Sequence, residues 1–515
     1  MDSYRDAMDI RYVVRVGLVG AALAGMAPAL ALGQPSLAEV ARLETARRHA
    51  ITQPAPVYTR ATLPVIRPAT IVASATAAAQ ATTPAPITKP APPPAAAVAP
   101  KVASPRPWGR VAFFATAMQV SPDEGASQHA EEFTSTVAFH SPDGPATFLE
   151  YGLDARATKY TARGRARRLS LYEAWAGVRL LDDALRVRGG HLWVTEVGGL
   201  GSIAGGLVEY KHGIGAAKLR LAAFGGREPV AFDTGYVPDV TRVGGYVALD
   251  ATGLRRHTMG YVLIRNQGLT ERSVLTTTNY LPVTPKVFVY QSAEYDLQGP
   301  AGQGTGGLSY FFSNARVTAT SRIDLLGSYH RGRSIDTRTL TLDQINGRPV
   351  PLKSLEGLFF ESLSGRVTVE VVKGVRLYAG YGRDRNNRDS DPTGRLQVGG
   401  HSGNLAGTGF DVTASWNRID RGAPGTYSAY YVSVGRSLTP QIYLSGDYST
   451  SLSVLRFTRG DGVIVESHPE TSRYGLSAMW HMGRLVSLIV NGDMTRDDMG
   501  HEFRVFSGLT YRLPQ

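Results

Sequence analysis

The sequence predicts an all-β fold: a transmembrane antiparallel up-and-down β-barrel of about 18–22 strands, preceded by a disordered periplasmic tail. Three observations predict it. From Trp108 onward, segments of about ten residues alternate apolar and polar side chains, as half-apolar barrel strands do. The connections between these segments alternate between short and long. The chain also ends in one further amphipathic segment.

The alternation is clearest in residues 366–382. Val367, Val369 and Val371 alternate with polar residues, and the pattern resumes after Lys373-Gly374. Because successive side chains of a strand point to opposite faces, this pattern predicts two strands joined by a short turn. The same pattern recurs in Leu149–Arg156, in Tyr172–Leu180 followed by Asp182-Asp183 and Leu185–Arg188, and in Ala217–Ala223.

The connections predict which end of the barrel faces the periplasm, since outer-membrane barrels have short periplasmic turns and longer outer loops. The predicted short turns are Ser141–Gly144, Leu181–Asp183, His212–Gly215, Asp250–Gly253, Lys373-Gly374, Ser437–Pro440 and Met482–Arg484. The predicted longer connections are Ser121–Ala130, Lys159–Arg167, Glu228–Val240, Arg331–Glu356, Asp384–Thr393, Phe457–Thr471 and Asp493–Gly500. An even strand count with both ends in the periplasm is expected.

Composition excludes several other classes. The chain has no cysteine, so no disulfide stabilises it, and its mean hydropathy of −0.13 is too polar for a helical membrane protein. The formal charge is +12, but residues 34–107 carry half of it, with eight Lys/Arg against Glu39 and Glu44. The rest is spread thinly over the barrel region, which does not indicate nucleic-acid binding.

The first 107 residues predict a targeting signal followed by a linker to the barrel. Residues 1–33 have the pattern of a secretory signal peptide, with Arg11 and Arg15 before an apolar stretch and small residues after it. Residues 34–52 have the pattern of a short amphipathic helix that Ser36 and Glu39 would cap. Such a helix would dock on a partner or plug the barrel; the alternative, which is more common, is a nascent helix on a tail. Residues 53–107 are rich in Ala, Pro and Thr and predict a disordered periplasmic linker. Residues 108–515 form the predicted barrel.

Charged side chains on the polar face of several strands are candidates for setting ion selectivity. A barrel of this width encloses water, so these side chains would face the lumen. The alternative, which the mixture of acids and bases favours, is that a wet lumen carries polar residues of both signs without selecting ions. The candidates are Glu150, Arg156, Glu173, Arg179, Arg186, Arg188, Lys218, Arg220, Arg366, Glu370 and Arg376.

Three further segments carry weaker signals. Asp384–Asp391 is dense in oxygen ligands that suit Ca²⁺, but interleaved arginines favour a solvated loop. Gly198–Gly206 is glycine-rich like a phosphate loop, but it lacks a following Lys-Ser/Thr, so a flexible loop after a strand ending near Trp193 is predicted. Arg331–Glu356 is long enough to fold into the lumen as a constriction, and an outward surface loop is at least as well supported.

No catalytic group, metal site or cofactor is predicted. The histidines show neither metal-ligand spacing nor a Ser/His/Asp grouping, and surface positions are the default for them. They include His140, His191, His212, His257, His330, His401, His468, His481 and His501.

The final segment, Phe503–Leu513, resembles the closing strand that serves as the assembly signal of bacterial outer-membrane proteins, although Leu513-Pro514-Gln515 replaces the usual terminal aromatic residue. At the level of architecture, residues 108–515 resemble the porin-like outer-membrane β-barrels of Gram-negative bacteria. That resemblance implies passive or gated passage of solutes and transfers no functional residue.

Two functions follow as hypotheses. The first is an outer-membrane porin or channel for small hydrophilic solutes, and no enzyme. The second is the barrel of an export or binding assembly that engages a periplasmic partner through residues 34–107. Expected partners are outer-membrane lipid, lipopolysaccharide and the barrel-assembly machinery, and no nucleic acid.

Overall fold

The computed structural model describes the chain from Pro107 to Leu513 with short gaps. The described residues are 107–123, 127–142, 148–161, 167–230, 233–252, 255–299, 306–350, 354, 356–389, 391–458 and 463–513. The predicted signal peptide (1–33), helix (34–52) and linker (53–107) lie outside them, apart from Pro107.

Strands account for most of the described chain. The first twelve are β1 Trp108–Pro122, β2 Gln128–His140, β3 Leu149–Tyr160, β4 Arg168–Leu180, β5 Leu185–Trp193, β6 Ser202–Ile214, β7 Ala217–Pro229, β8 Tyr236–Ala251, β9 Arg255–Asn266, β10 Leu269–Thr284, β11 Val287–Gln298 and β12 Gly307–Thr320. The others are β13 Ile323–Ser334, β14 Leu358–Val372, β15 Val375–Asn386, β16 Thr393–Gly403, β17 Phe410–Asp420, β18 Gly425–Thr439, β19 Ile442–Thr458, β20 Ile464–Ser467, β21 Glu470–Met482, β22 Val486–Asp497 and β23 Gly500–Arg512.

Helices are few among the described residues. Helix α1 spans Thr337–Ile345, Ser354 and Glu356 are also helical, and 3-10 helices span Thr195–Gly201 and Leu405–Gly407. None of the helices in these ranges is both long and apolar enough to cross a membrane.

The strands form one closed antiparallel sheet. Each strand pairs with the next along the chain, and β1 also pairs with β23, from Arg110 opposite Arg512 to Pro122 opposite Gly500. The short strand β20 and strand β21 both pair with β19, so they share one position in the wall. The described strands therefore make a 22-stranded barrel, which confirms the predicted fold class.

The predicted hairpins form because the alternation and the turn residues agree. Val367 lies opposite Ala379 and Val369 opposite Leu377, so β14 and β15 present their apolar residues on one face. Gly374 takes a left-handed φ of 83° in the two-residue turn between them, a conformation that glycine adopts without steric cost.

The two faces of the wall differ as a lipid-embedded barrel requires. Large apolar side chains such as Phe113, Leu363 and Leu476 are 56%, 61% and 73% exposed on the outer face. The alternate residues point inward and include most of the charged side chains of the strands. A sheet that closes on itself leaves no unpaired edge in hydrocarbon. The fold is thus a transmembrane β-barrel.

The connections sort by end as predicted. At the end that holds Trp108 and Arg512, β6–β7, β10–β11, β12–β13, β14–β15 and β18–β19 are joined by only two residues each. The seven predicted short turns fall at this end, which we call the short-turn end. The seven predicted longer connections fall at the other, the long-loop end, and include the connection 335–357 between β13 and β14. The order is not strict: β9–β10 at the long-loop end has two residues, and β16–β17 at the short-turn end has six.

One predicted long connection is wrong. Asp493–Gly500 is not a loop: β22 continues to Asp497, and a two-residue turn leads into β23 at Gly500. The backbone ladder persists there, with Arg496 opposite His501. Polar side chains do not end a strand that has passed beyond the apolar belt, because the backbone hydrogen bonds are the same.

The lumen as candidate functional site

The chain between β5 and β6 folds against the inner wall. This inner segment, residues Val194–Gly201, closes on itself through a hydrogen bond from Val194 N to Gly201 O of 2.9 Å. Its 3-10 helix contacts β8, β9 and β10. Val197 is only 1% exposed and lies so near Gly260 of β9 that a side chain at that glycine would collide with it. The inner segment is therefore a packed element.

The apolar side chains of the inner segment complete a hydrophobic core on the inner side of the barrel. Val194, Val197 and Leu200 recur every third residue and all three are buried, although the 3-10 helix is interrupted at Val197 and Gly198, where the backbone leaves helical angles. They join residues of six strands, β5 to β10, in one buried cluster: Leu192, Ile203, Leu207, Phe224, Val240, Tyr246, Ala248, Val262, Ile264 and Val274.

The prediction of a flexible loop at Gly198–Gly206 is therefore wrong. The chain enters β6 at Ser202 and not a helix, so the phosphate-loop alternative also lacks its context. The three-residue spacing of apolar side chains was the signal that sequence reasoning missed.

An acidic side chain also ties the inner segment to the wall. Glu196 Oε1 accepts from Arg220 Nη1 at 2.6 Å, and the same nitrogen lies 3.1 Å from Glu209 Oε2 on β6. Arg220 Nε donates to Asp250 Oδ2 on β8 at 2.7 Å, and the Tyr246 hydroxyl donates to Glu209. Arg220, a candidate from the sequence, is thus the centre of a network that joins three strands to the segment.

A second network surrounds Glu150, which is fully buried on β3. Arg179 Nε donates to its Oε2 at 3.1 Å, and Arg188 Nε donates to its Oε1 at 2.7 Å. The Arg188 guanidinium also lies 4.5 Å from the centre of the Trp175 ring. One carboxylate thereby holds two arginines, and all three charges were candidates from the sequence.

The turn between β4 and β5 extends this network. Asp183 Oδ1 accepts from Arg186 Nε at 2.7 Å, and its Oδ2 accepts from Lys211 Nζ at 3.1 Å. Partial burial disfavours the charged form of Asp183, but the hydrogen bonds from Arg186 and Lys211 outweigh it and lower its pKa to about 2. Lys211 also lies 3.8 Å from Glu209, so the charged groups connect from this turn to the Arg220 network.

The connection 335–357 supplies a second inward element, at the end of the barrel opposite to the turn between β4 and β5. Helix α1 begins after Asp336, whose carboxylate accepts from Thr339 N at 3.0 Å, and this hydrogen bond lowers the pKa of Asp336. Arg338 then reaches Glu228 of β7 at 2.8 Å and Glu271 of β10 at 2.7 Å. Leu340 and Thr341 are buried.

Helix α1 therefore packs on the inner wall far from its own strands. Its partners Glu228 and Glu271 belong to strands that neither β13 nor β14 contacts in the sheet. Of the two alternatives for Arg331–Glu356, the structure supports the inward one.

The remaining candidates have simpler surroundings. Arg156 pairs with Glu132 at 3.3 Å, and Arg376 with Glu370 at 3.9 Å. The Arg366 guanidinium lies 5.6 Å from the centre of the Tyr378 ring, and Glu173 accepts from Trp175 Nε1 at 3.3 Å. Lys218 is exposed. The structure thus links most of the candidates to neighbours on adjacent strands. The acidic partners that sequence reasoning missed are Glu132, Asp183, Glu196, Glu209 and Asp250.

The oxygen-rich segment Asp384–Asp391 is held by hydrogen bonds and ion pairs. Asp384 Oδ2 lies 2.6 Å from Arg395 Nε, and Asn386 Nδ2 donates to Asp389 at 2.8 Å. Within the ranges that the structure covers, no group of three or more His, Asp or Glu side chains is arranged to hold a metal ion.

The geometry defines a class, a large transmembrane barrel whose lumen is lined by ion pairs and narrowed by two inward elements. No protein-family model and no curated protein matches the sequence. Among solved structures, OpdQ of Pseudomonas aeruginosa is 10% identical, with 79% of this chain and 97% of that chain covered and a TM-score of 0.38.

Two other solved structures are similar at the same level. OccAB4 of Acinetobacter baumannii is 10% identical, with 79% of this chain and 98% of that chain covered and a TM-score of 0.38. A mutant of the ferric enterobactin receptor PfeA of P. aeruginosa is 9% identical, with 78% and 80% covered and a TM-score of 0.47. At these values the likeness does not bear on function.

Proposed function

We propose that this protein is an outer-membrane channel for small hydrophilic solutes. The observation that carries the proposal is the polar and partly exposed inner wall. Arg156 and Glu132 form an ion pair there whose side chains are 43% and 35% exposed, and those of Arg473 and Arg504 are 40% and 39% exposed. Partly exposed charged side chains inside a barrel of 22 strands indicate a lumen that water reaches.

The inner wall is uneven, and this supports a narrowed channel. On β5–β10 a group of inward apolar side chains is buried beneath the inner segment, and helix α1 covers β7 and β10 nearer the long-loop end. On β19, β21 and β23 inward charges such as Arg473, Asp447 and Arg504 remain partly exposed, while Asp493 of β22, which Arg504 contacts, is buried. Solutes would pass along the parts of the inner wall that neither inward element covers.

Charge pairing supports weak ion selectivity. Most candidate arginines have a carboxylate within 4 Å, so little uncompensated charge faces a passing ion. In this proposal the charged candidate residues mainly stabilise the wall through ion pairs, and they discriminate little between cations and anions. The short-turn end lies in the periplasm and the long-loop end outside the cell, as is usual for such barrels.

Single-channel recording in planar bilayers tests the proposal. We expect stepwise conductance in KCl from the full chain and also from a variant lacking residues 34–107, because the wall alone would form the passage. Absence of conductance from both proteins, when each is shown to be folded by its slower migration after boiling on a denaturing gel, would reject an open channel. Conductance only without residues 34–107 would indicate that this region closes the lumen.

A further inference from the structure

A chain of aromatic rings crosses the inner face of five consecutive strands. Tyr280 of β10, Tyr290 of β11, Phe312 of β12, His330 of β13 and Phe360 of β14 form it. Neighbouring ring centres along this chain are 4.9, 5.8, 6.0 and 4.8 Å apart. Tyr310 adds a further ring, 5.2 Å from His330. We call these six residues the aromatic track.

Strand register shows that the track faces inward. Tyr280 is on the same face of β10 as Val274, which belongs to the buried core under the inner segment. Tyr290 lies directly opposite Tyr280, and His330 lies directly opposite Phe312. The residues between them point the other way: Phe311 and Tyr329 contact each other on the outer face, with ring centres 5.9 Å apart.

The track also runs lengthwise through the barrel. Tyr290 follows Val287, the first residue of β11 at the short-turn end, by three positions. Phe312 and His330 lie near the middle of their strands. Phe360 is two positions from Leu358, where β14 begins at the long-loop end. The rings therefore follow a diagonal path along the inner wall, from near the short-turn end to near the long-loop end.

Neutral hydrogen-bonding groups border the rings. Asn314 lies opposite Tyr290, Ser292 opposite Phe312, and Ser362 opposite His330. Ser328 and Ser364 bond to each other at 2.7 Å in the same region. The His330 Nε2 atom is buried and has no hydrogen-bond partner within the described chain. All six track side chains remain partly exposed.

We propose, building on the channel function above, that the track guides linear neutral oligosaccharides through the lumen. A pyranose unit has an apolar face of C–H groups and a rim of hydroxyls. Aromatic rings complement the face, while serine and asparagine side chains complement the rim. An anionic solute would need unpaired cations, whereas Glu294, the charged residue opposite Tyr310, is already held by Arg272 at 2.9 Å.

The length of the track favours a chain over a single small molecule. A small aromatic solute would contact only one or two rings and would form no hydrogen bonds with the bordering serine hydroxyls and asparagine amide. A sugar chain can move from ring to ring, because the next ring is within about 6 Å. Weak contacts repeated along a path allow both entry and exit, which is what a passage requires.

Titration of maltoheptaose into the full protein, held in a polyoxyethylene detergent without sugar head groups, tests the inference. Calorimetry measures binding whether or not the protein conducts. We expect binding that weakens about fivefold in Phe312→Leu, since loss of a ring contact costs about 1 kcal/mol. Phe311→Leu is the matched control because it removes a neighbouring ring from the outer face, and it should leave the affinity unchanged.

The second readout is current block in planar bilayers. We expect maltoheptaose to interrupt the current more strongly than maltose, because the longer chain covers more rings. Binding without conductance would reject the open channel and keep the track. Conductance with neither binding nor block would overturn the track and keep the channel. Equal loss of affinity in Phe312→Leu and Phe311→Leu, or binding of sodium benzoate but not of maltoheptaose, would also overturn the track.

Discussion

Release of the inner segment should widen the lumen. Val197 is packed among Val240, Val262 and Val274, with 1% of its surface exposed. Replacement by aspartate, Val197→Asp, removes about 2 kcal/mol of apolar burial and places a carboxylate in an apolar site, which costs several kcal/mol more. The total is at least about 5 kcal/mol.

This cost is comparable to the total free energy that binds the inner segment to the wall. Burial of Val194, Val197 and Leu200 contributes about 5–8 kcal/mol as an upper bound. The Glu196–Arg220 ion pair adds only a little to this, because Arg220 keeps its partners Glu209 and Asp250 when the segment detaches. We therefore expect Val197→Asp to detach the segment while the strand ladder of the barrel stays closed.

Single-channel conductance of Val197→Asp should exceed that of the unaltered protein. The matched control is Gly199→Asp, which adds the same charge to the same segment at an exposed position with open space around it and should leave conductance unchanged. Protease cleavage near Gly198 should appear in Val197→Asp only. Equal conductance and equal resistance to cleavage in the two variants would show that the segment is not the removable constriction that its packing indicates.

The remaining predictions concern the charged networks and the track. Glu150→Gln should lower stability by about 3–5 kcal/mol, because Arg179 and Arg188 lose a buried counter-charge, and an unchanged urea midpoint in micelles would contradict this. The lowered pKa of Asp183, from 3.8 to about 2, gives stability that is present above pH 4 and is lost as the pH falls toward 2; Asp183→Asn should flatten that part of the pH profile of unfolding. Arg338→Ala should leave Glu271 without its ion pair, while Glu228 keeps Arg242, and shift the reversal potential in a KCl gradient toward cation preference. Arg348→Ala, which removes a 72% exposed arginine from the same connection, is its control, and equal shifts in both would refute a role for the helix. The reduced affinity of Phe312→Leu for maltoheptaose completes the set.

Sequence alone determined the wall of the barrel. The period of two in residues such as Val367–Val371 assigns each side chain to a face, and lipid outside with water inside permits only one choice of face. The order of short and long connections likewise follows from local turn residues. The barrel's fold class and the approximate strand count could be predicted because they depend on neighbours in the chain.

Only the tertiary structure decided what fills and lines the lumen. Whether Glu150 meets Arg188 depends on how β3, β4 and β5 align, and the sequence of one strand does not state its register with another. The inward packing of Val194–Gly201 and of α1 depends on strands far along the chain, from β7 to β10. The aromatic track arises in the same way, since its rings lie on five strands and meet only when the sheet aligns them.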